Sequence, residues 1–352
     1  MEENPYIKGR GAQFKSANRF ERLQRVTEHE EGIDEDVSHE SVRTMVFYEH
    51  PKKIINATDS PDMPQMYSIN PYQGCEHGCI YCYARPTHEY WGFSAGLDFE
   101  SKIVVKANAP QVLEASLLAR NWKGEPVTLS GNTDCYQPLE RKLEITRKLL
   151  LILQKYRNPV GIITKNALVT RDIDILKEMA QDGLAHVYLS VTTLDESLRQ
   201  VLEPRTATST MRLQTIQRLT EAGIPTGVMI APIIPGLTDH EIPKIMQKVA
   251  EAGALTAGYT VVRLNGANGE LFKDWVSKNF PNRAEKIWNQ IAEIHGGEVS
   301  DSQFGRRMRG EGPIAEAINQ LFKKAKSKYM HGREMPPYAQ NTFRKGGNYS
   351  LF

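Results

Sequence analysis

The stretch "NPYQGCEHGCIYCYARPTHEYWG", residues 70–92, contains three of the four cysteines of this 352-residue chain. Cys75, Cys79 and Cys82 are spaced C-x3-C-x2-C, and the fourth cysteine, Cys135, lies far along the chain. A structural zinc site normally takes four protein ligands, often supplied as two C-x2-C pairs. Three clustered thiols without a fourth therefore predict a metal or redox centre, with one ligand position to be filled from elsewhere.

Two metal sites remain compatible with this motif. A zinc ion could take His77 or His88 as its fourth ligand. A four-iron cluster held by three thiolates would instead leave one iron free to bind an exogenous molecule, and soft thiolates suit such clusters. Gly74 and Gly78 allow the loop to wrap tightly and leave backbone amides near the sulfurs.

The composition is that of an ordinary globular protein, with 40% hydrophobic and 24% charged residues and a net charge of +2. Residues 1–11 lack the apolar core of a secretory signal, and no run approaches the ~20 apolar residues of a membrane helix. Four cysteines are too few for a disulfide framework. We therefore expect a soluble, cytoplasmic protein without a membrane partner, and we expect it to be a monomer.

Charge is distributed unevenly along the chain. The first 60 residues are polar, with an acidic stretch at 28–36, and predict an extension with one short helix. Residues 301–352 carry ten Lys or Arg against four Asp or Glu, an excess of +6. That excess indicates either a solvated helix face with a basic tail or a surface that meets phosphates.

Short β-branched runs alternate with amphipathic helical segments after residue 66. The predicted strands are 66–70, 102–106, 126–131, 160–164, 185–193, 225–233 and 256–264. The predicted helices are 139–156, 171–182, 210–222, 238–252, 268–279, 283–294 and 313–329. This alternation predicts a parallel sheet with crossover helices, in an α/β fold of the partial (β/α)6-type, TIM-like barrel kind. The predicted divisions are an N-terminal extension (1–65), a core barrel (66–265) and a helical basic C-terminal region (266–352).

Polar side chains follow several of the predicted strands. Thr133 and Asp134 come after 126–131, Lys165 follows 160–164, and Ser190 and Thr192 lie at the end of the next strand. In a barrel of parallel strands, functional groups gather at the carboxyl ends. These residues are therefore candidates for one site, shared with the cysteine loop.

The C-x3-C-x2-C motif, with the aromatic Tyr81 before the third cysteine and a strand–helix series behind it, resembles the radical S-adenosylmethionine superfamily. The resemblance covers roughly residues 66–265. It implies that Cys75, Cys79 and Cys82 hold a [4Fe–4S] cluster whose open iron binds the amino and carboxylate groups of S-adenosylmethionine. One-electron reduction, by a reductant such as flavodoxin or ferredoxin, would then give a 5′-deoxyadenosyl radical that abstracts hydrogen from a substrate.

Tyr81 and Tyr83 bracket the third cysteine in "YCYAR". This arrangement resembles spore photoproduct lyase and its wider group, often labelled "DNA repair photolyase" in bacterial genomes. The resemblance implies a catalytic hydrogen relay for Tyr83 and a cofactor-binding place for Tyr81, although packing around the cluster is the simpler role for both. We also expect Glu203 and Arg205 to order the rim of the barrel.

The same resemblance assigns the strand-end residues to cofactor binding. Thr133 and Asp134 lie in "SGNTD", where the lyase has a short segment ending in Ser-Asp that meets S-adenosylmethionine. Lys165 corresponds to a lysine near the cofactor carboxylate. Ser190 lies where the superfamily often contacts the ribose or the methionine end. Ordinary capping or ion pairing is the alternative for each of them.

The chain departs from the lyase at the hydrogen donor. In the lyase a cysteine two residues before the cofactor-binding serine donates hydrogen, and Gly131 stands at the matching position. Cys135 is the alternative donor, or a buried filler. Repair of the spore thymine dimer is therefore not the expected reaction, whereas another nucleic-acid substrate remains possible. A non-catalytic Fe–S or zinc-stabilised binding module is the competing function.

Overall fold

The computed structural model describes residues 6–20, 43–58, 60–62 and 67–346. The described residues form the strands β1 (Met45–Glu49), β2 (Ile55–Ala57), β3 (Tyr67–Ile69), β4 (Tyr72–Gln73), β5 (Lys102–Lys106), β6 (Val127–Leu129), β7 (Val160–Thr164), β8 (Ala185–Ser190), β9 (Thr226–Ile233) and β10 (Thr256–Val261). The acidic stretch 28–36 lies outside the described residues, as do the rest of 21–42 and residues 1–5 of the region for which a short helix was predicted.

The helices are α1 (Leu97–Ser101), α2 (Ala109–Leu118), α3 (Glu140–Leu143), α4 (Ile145–Lys155), α5 (Ile173–Gln181), α6 (Glu196–Leu202), α7 (Ser209–Glu221), α8 (Ile242–Glu251), α9 (Asn268–Asn279), α10 (Ala284–Glu293) and α11 (Gly312–Tyr329). In the same described ranges, 3-10 helices lie at Arg85–Trp91, Ala167–Asp172 and Asp239–Glu241. In the described part of the chain, no helix has both the length and the apolar character that crossing a membrane requires.

The main sheet has seven strands in the order β10-β9-β8-β7-β6-β3-β2. Its six strands from β3 to β10 pair in parallel, and β2 joins antiparallel at one edge. Among the described residues, the two edge strands do not pair with each other, so the sheet forms an open barrel. This architecture confirms the predicted partial (β/α)6-type barrel.

The central strands are buried on both faces because helices cover one side and the barrel interior fills the other. Val160 and Ile162 on one face of β7 are 0% exposed, as are Val187 and Leu189 on one face of β8. On the opposite faces Gly161, His186 and Ser190 are buried, and Ile163 and Tyr188 are half-buried. A strand covered on both faces reads as a nearly continuous apolar run, which is why these strands were recognisable in the sequence. Helices α5 and α7 end before Gly183 (φ 68°) and Gly223 (φ 79°), whose positive φ is typical of the glycine that follows the last turn of a helix.

Two local predictions were wrong. Residues 102–106 form a strand, but β5 belongs to a separate three-stranded sheet, in the order β1-β5-β4, outside the barrel. The helix predicted at 139–156 is divided at Glu144, whose φ of 53° ends α3 before α4 begins. Strand β2, which lies within residues 1–65, pairs with β3 of the main sheet.

The last described residues, 331–346, run along the amino ends of the parallel strands. The Ala339 amide donates to the Gly183 carbonyl (3.0 Å), just before β8, and the Arg344 amide donates to the Tyr156 carbonyl (2.9 Å), just before β7. Arg333 donates to the Ala254 carbonyl (3.0 Å), just before β10. The tail therefore closes the end of the barrel opposite the carboxyl ends of the strands.

Candidate active site

The cysteine loop follows β4 and runs into the 3-10 helix at Arg85–Trp91. Cys75 and Cys79 are each 7% exposed, and Cys82 is half-buried. The Cys75 amide donates to the Phe99 carbonyl (2.9 Å), and the Ile80 amide donates to the Leu202 carbonyl (3.1 Å). The loop is thus fixed to the body of the protein on both sides of its second cysteine.

A fully buried ion pair lies beneath the loop. Arg85 pairs with Glu100, both side chains being 0% exposed, and the Arg85 Nε donates to the Cys79 carbonyl (3.0 Å). The amides of Gly11 and Ala12 donate to the same Glu100 carboxylate at 3.0 and 2.8 Å. Since this carboxylate also receives the guanidinium, its buried charge is fully compensated.

The N-terminal segment approaches the loop so closely that one position requires glycine. A Cβ added at Gly11 would lie 1.9 Å from the carbonyl oxygen of Gly78. Gly78 itself has a φ of +68°, in the region that favours glycine. Residues 7–18 were not predicted to belong to the site, because only the fold brings them to the loop.

The protonation of the three thiols depends on their surroundings and on whether a metal is bound. Burial, followed by the negative charge of Asp134, raises the pKa of Cys75, and burial followed by Glu203 raises that of Cys79. Burial also raises the pKa of Cys82, although the Arg85 guanidinium opposes the shift. Bound metal removes this penalty, because a coordinating thiol loses its proton outright. The donor set therefore fits an iron–sulfur cluster.

The two histidines considered as zinc ligands differ in their surroundings. His77 has both ring nitrogens engaged, with Nδ1 3.3 Å from Asp134 Oδ2 and Nε2 3.1 Å from Asn166 Nδ2. His88 is 0% exposed and packs against the rings of Phe93 and Phe99. Across the described residues, no group of three or more His, Cys, Asp or Glu side chains, the three thiols included, is arranged around a single metal ion. An iron–sulfur cluster does not require such an arrangement, because each of its thiolate ligands binds a different iron.

Tyr81 is tied to the barrel by a buried carboxylate. Its hydroxyl donates to Glu203 Oε1, which also receives the Thr192 hydroxyl (2.7 Å) and the Lys165 ammonium (3.0 Å). Arg212, 1% exposed, pairs with the other Glu203 oxygen. Burial alone would raise the pKa of Glu203, but Arg212 and Lys165 outweigh it and lower that pKa. An ionised carboxylate thus connects the cysteine loop, two strand ends and α7.

Lys165 and Asp134 lie at the strand ends, as predicted, with most of their polar atoms engaged by the protein. The Lys165 ammonium also contacts Thr192 Oγ1 (3.1 Å) and the Ala231 carbonyl (3.2 Å). Asp134 accepts from the Thr164 hydroxyl (2.7 Å) and the Lys165 amide (2.8 Å). Burial would raise the pKa of Asp134, but the neighbouring His77 and these donors lower it. The structure therefore brings both residues to the loop.

The remaining predicted residues occupy different environments. Thr133 and Ser190 are 7% and 6% exposed, at the ends of β6 and β8. Tyr83 is 45% exposed and donates its hydroxyl to the Gly131 carbonyl. Cys135 is 0% exposed and belongs to the main hydrophobic core. This last placement is that of a packed core cysteine, so its role as a hydrogen donor stays a prediction.

Comparison with known proteins places this geometry in a family. The model of the radical SAM superfamily matches residues 69–249. A protein of Methanocaldococcus jannaschii is 32% identical over 68% of this chain and 86% of its own length. A protein of Mycobacterium tuberculosis is 35% identical over 62% of this chain and 65% of its own length, so the match spans just under two thirds of that relative. Both relatives carry names that describe them as uncharacterised.

Solved structures of spore photoproduct lyase have the same fold. The lyase complexed with dinucleoside spore photoproduct superimposes with a TM-score of 0.60, at 14% identity, over 82% of this chain and 80% of its own. A point mutant of the lyase, in which a tyrosine is replaced by phenylalanine, gives a TM-score of 0.59 at 15% identity, over 82% and 79% of the two chains. With the cysteine loop at the mouth of an open barrel and a family match over half its length, the chain belongs to the radical SAM superfamily.

Proposed function

We propose that this protein is a radical SAM enzyme in which Cys75, Cys79 and Cys82 hold a [4Fe–4S] cluster and S-adenosylmethionine binds beside it at the barrel mouth. Such a cluster supplies the single electron that cleaves S-adenosylmethionine to a 5′-deoxyadenosyl radical, which takes hydrogen from the substrate. The observation that carries the proposal is the position of three clustered thiols, two buried and one half-buried, on one fixed loop at the carboxyl ends of six parallel strands.

The chain's own residues would bind and orient the cofactor. Thr133, Asp134 and Ser190 are proposed to line its site from neighbouring strand ends. Tyr81 would present its ring to the cofactor, since its hydroxyl is held by Glu203. Lys165 would act together with Tyr81, because its ammonium lies 5.5 Å from the centre of that ring. The burial of this network excludes water from the side of the loop that faces the barrel.

Tyr83 is proposed to lie beside the reacting substrate. It is the exposed member of the tyrosine pair, and Arg263 lies 5.4 Å from its ring centre. Its hydroxyl spans the mouth to Gly131, the position where the lyase has its donor cysteine. A substrate resting on this rim would contact Tyr83 directly, whereas Cys135 lies within the core.

A nucleic-acid substrate is the second proposal, and one part of the surface favours it. Near the rim, Phe304 is 51% exposed and offers a ring on which a base could stack, beside the Arg307 guanidinium, which lies 4.4 Å from the ring centre and pairs with Asp62. The basic tail contributes less to a nucleic-acid surface at the rim than its charge indicated, because Arg333 and Arg344 lie at the opposite end of the barrel.

Anaerobic reconstitution tests the main proposal. The protein would be loaded with iron and sulfide, reduced with dithionite and supplied with S-adenosylmethionine, and 5′-deoxyadenosine would be measured. We expect its formation in the wild type and in Cys135→Ala, and its loss in Cys75→Ala, Cys79→Ala and Cys82→Ala. A loaded cluster that gives no 5′-deoxyadenosine, even with DNA, RNA or cell extract present, would favour the non-catalytic module. Zinc bound by four protein ligands would exclude the proposal.

A further inference from the structure

A continuous series of packed rings leads from the first cysteine to the surface. Cys75 packs against Phe99, whose ring meets His88 edge-on with centroids 5.5 Å apart. His88 in turn lies 5.1 Å from Phe93, and Phe93 lies 5.1 Å from Phe47. Phe47 is 39% exposed. Three ring contacts therefore connect the surroundings of Cys75 with the solvent.

This path lies on the side of the cysteine loop that faces away from the barrel. Tyr81 and its carboxylate partner Glu203 occupy the barrel side. Phe99 and His88 are 1% and 0% exposed, so the outward path consists of close-packed protein. The loop thus has one side for small molecules and another that is separated from the surface by only a few side chains.

The segments at the end of the path expose several large apolar side chains. Those on residue 20, on β1 and at the end of the 3-10 helix Arg85–Trp91, here called the aromatic face, are Phe20 (54% exposed), Met45 (49%), Phe47 (39%), Tyr90 (70%) and Trp91 (39%). Phe20 and Tyr90 contact each other, with ring centroids 5.0 Å apart. Single exposed apolar residues are common, but a group of large ones marks a surface that meets a partner. Aromatic residues and methionine are also enriched at protein interfaces.

The charges beside the aromatic face have a consistent orientation. Lys15 and Arg19 have side chains that are 65% and 52% exposed. Their carboxylate partners, Asp98 and Glu89, are only 8% and 4% exposed. The cations therefore point outward while the anions lie beneath them, so the rim presents positive charge. An acidic partner would be complementary to this rim.

We propose that the aromatic face is the docking surface for the one-electron donor, a small acidic protein that carries a flavin or an iron–sulfur centre. This inference rests on the proposed function. The donor's reduced centre loses one electron, the centre held by the three cysteines gains it, and no atom or proton is transferred in this step. An electron that enters from the side of Cys75 facing away from the barrel leaves the barrel mouth free for S-adenosylmethionine and substrate during reduction.

Two pairs of surface substitutions test the docking surface. Tyr90→Ser with Trp91→Ser removes apolar contact area, and Lys15→Gln with Arg19→Gln removes the positive rim. Tyr48→Ser is the matched control, because Tyr48 is 64% exposed and follows Phe47 on β1, where successive side chains point to opposite faces. The probe donor is a purified bacterial flavodoxin, reduced enzymatically, and dithionite serves as the small-molecule reductant.

We expect 5′-deoxyadenosine formation with flavodoxin to fall about tenfold in both double variants and to stay unchanged in Tyr48→Ser. Formation with dithionite should be unchanged in all three variants. Calorimetry with oxidised flavodoxin supplies a readout that needs no turnover. Its Kd should rise about tenfold in both double variants, and the salt dependence of Kd should weaken in the variant without Lys15 and Arg19.

The two reductants separate the inference from the function on which it rests. If the wild type forms 5′-deoxyadenosine with dithionite but neither binds nor accepts electrons from flavodoxin, the docking proposal is overturned. Wild-type Kd and flavodoxin-driven rates in both double variants would overturn it as well. Failure of the wild type with dithionite would instead count against the proposed function, whatever the flavodoxin binding showed.

Discussion

Glu203 is the residue on which the barrel side of the candidate site depends. A buried carboxylate is costly unless charges and hydrogen bonds compensate it. Here Tyr81, Thr192, Lys165 and Arg212 all contact its two oxygens. Removal of the charge would leave two buried cations near each other and would release the Tyr81 hydroxyl. Glu203 would therefore order the rim of the barrel by holding these four side chains in place.

Glu203→Gln should therefore weaken both the fold and the cofactor site. We expect the free energy of unfolding to fall by about 3 kcal/mol, as for a buried ion pair that loses one partner. The Kd for S-adenosylmethionine should rise about tenfold, equivalent to about 1.4 kcal/mol. Urea denaturation and equilibrium dialysis measure the two effects.

Glu241→Gln is the control for this change, since Glu241 accepts from Thr193 and Leu194 near the same strand end but does not contact Tyr81. It should leave the Kd for S-adenosylmethionine unchanged. Equal losses of affinity in the two variants, or no loss in Glu203→Gln, would contradict the role assigned to Glu203.

At the scale of elements, the segment 7–18 and the cysteine loop behave as one unit. Gly11→Ala should force them apart, because the new Cβ would meet the Gly78 carbonyl oxygen. We expect the reconstituted protein to retain less than half of the wild-type iron and to lose it several-fold faster to a chelator. Gly9→Ala is the control, since Gly9 (φ +77°) has open space around it. The new side chain there meets no atom, and the positive φ alone destabilises the variant by about 1 kcal/mol. Equal iron retention in the two variants would contradict the claim that residues 7–18 and the cysteine loop behave as one unit.

His186 on β8 makes the contact between the tail and the sheet sensitive to pH. Its ring stacks on Tyr338 with centroids 4.0 Å apart, and burial lowers its pKa to about 4. The unfolded chain, with a histidine pKa near ~6.5, takes up the proton first as the pH falls. The contribution of His186 to stability is therefore complete above pH ~6.5 and is lost as the pH falls toward 4.

We expect His186→Phe, which can keep the stack, to reduce the loss of unfolding free energy between pH 7 and pH 5 by about 2 kcal/mol. Denaturant titrations at the two pH values would measure this difference. The exposed His240 offers the control, because His240→Gln should leave the pH dependence as it is in the wild type. An unchanged pH dependence in His186→Phe would show that the buried imidazole is not responsible.

In the whole molecule, one end of the barrel carries the candidate site and the other end is closed by residues 331–346. The cysteine loop and the strand-end residues lie at the carboxyl end, while residues 331–346 bind the turns that precede β7, β8 and β10. A chain that ends at Met330 should therefore melt at a lower temperature but bind S-adenosylmethionine with an unchanged Kd. Calorimetric melting and equilibrium dialysis measure these quantities. A large loss of affinity in the shortened chain would show that the ends are coupled.

Patterns that depend on neighbouring residues were readable from the sequence. The cysteine spacing, the apolar strands β7 and β8 and the glycines after α5 and α7 each reflect local chemistry or burial on both faces. The placement of residues 102–106 was not readable, because a short apolar strand fits either sheet equally well. The partners of Lys165 could not be predicted from the sequence either, since Glu203 and Thr192 contact it only once the strand ends are assembled.

Local spacing and periodicity were enough to predict the three clustered thiols, the alternation of strands and helices and the resemblance to the family. Only the tertiary structure decided that Gly11 touches the cysteine loop, that Cys135 lies in the core and that the basic tail lies at the end opposite the site. The physical reason is that such contacts join segments far apart in the chain. Their geometry is set by how sheets and helices pack, and no local pattern encodes it.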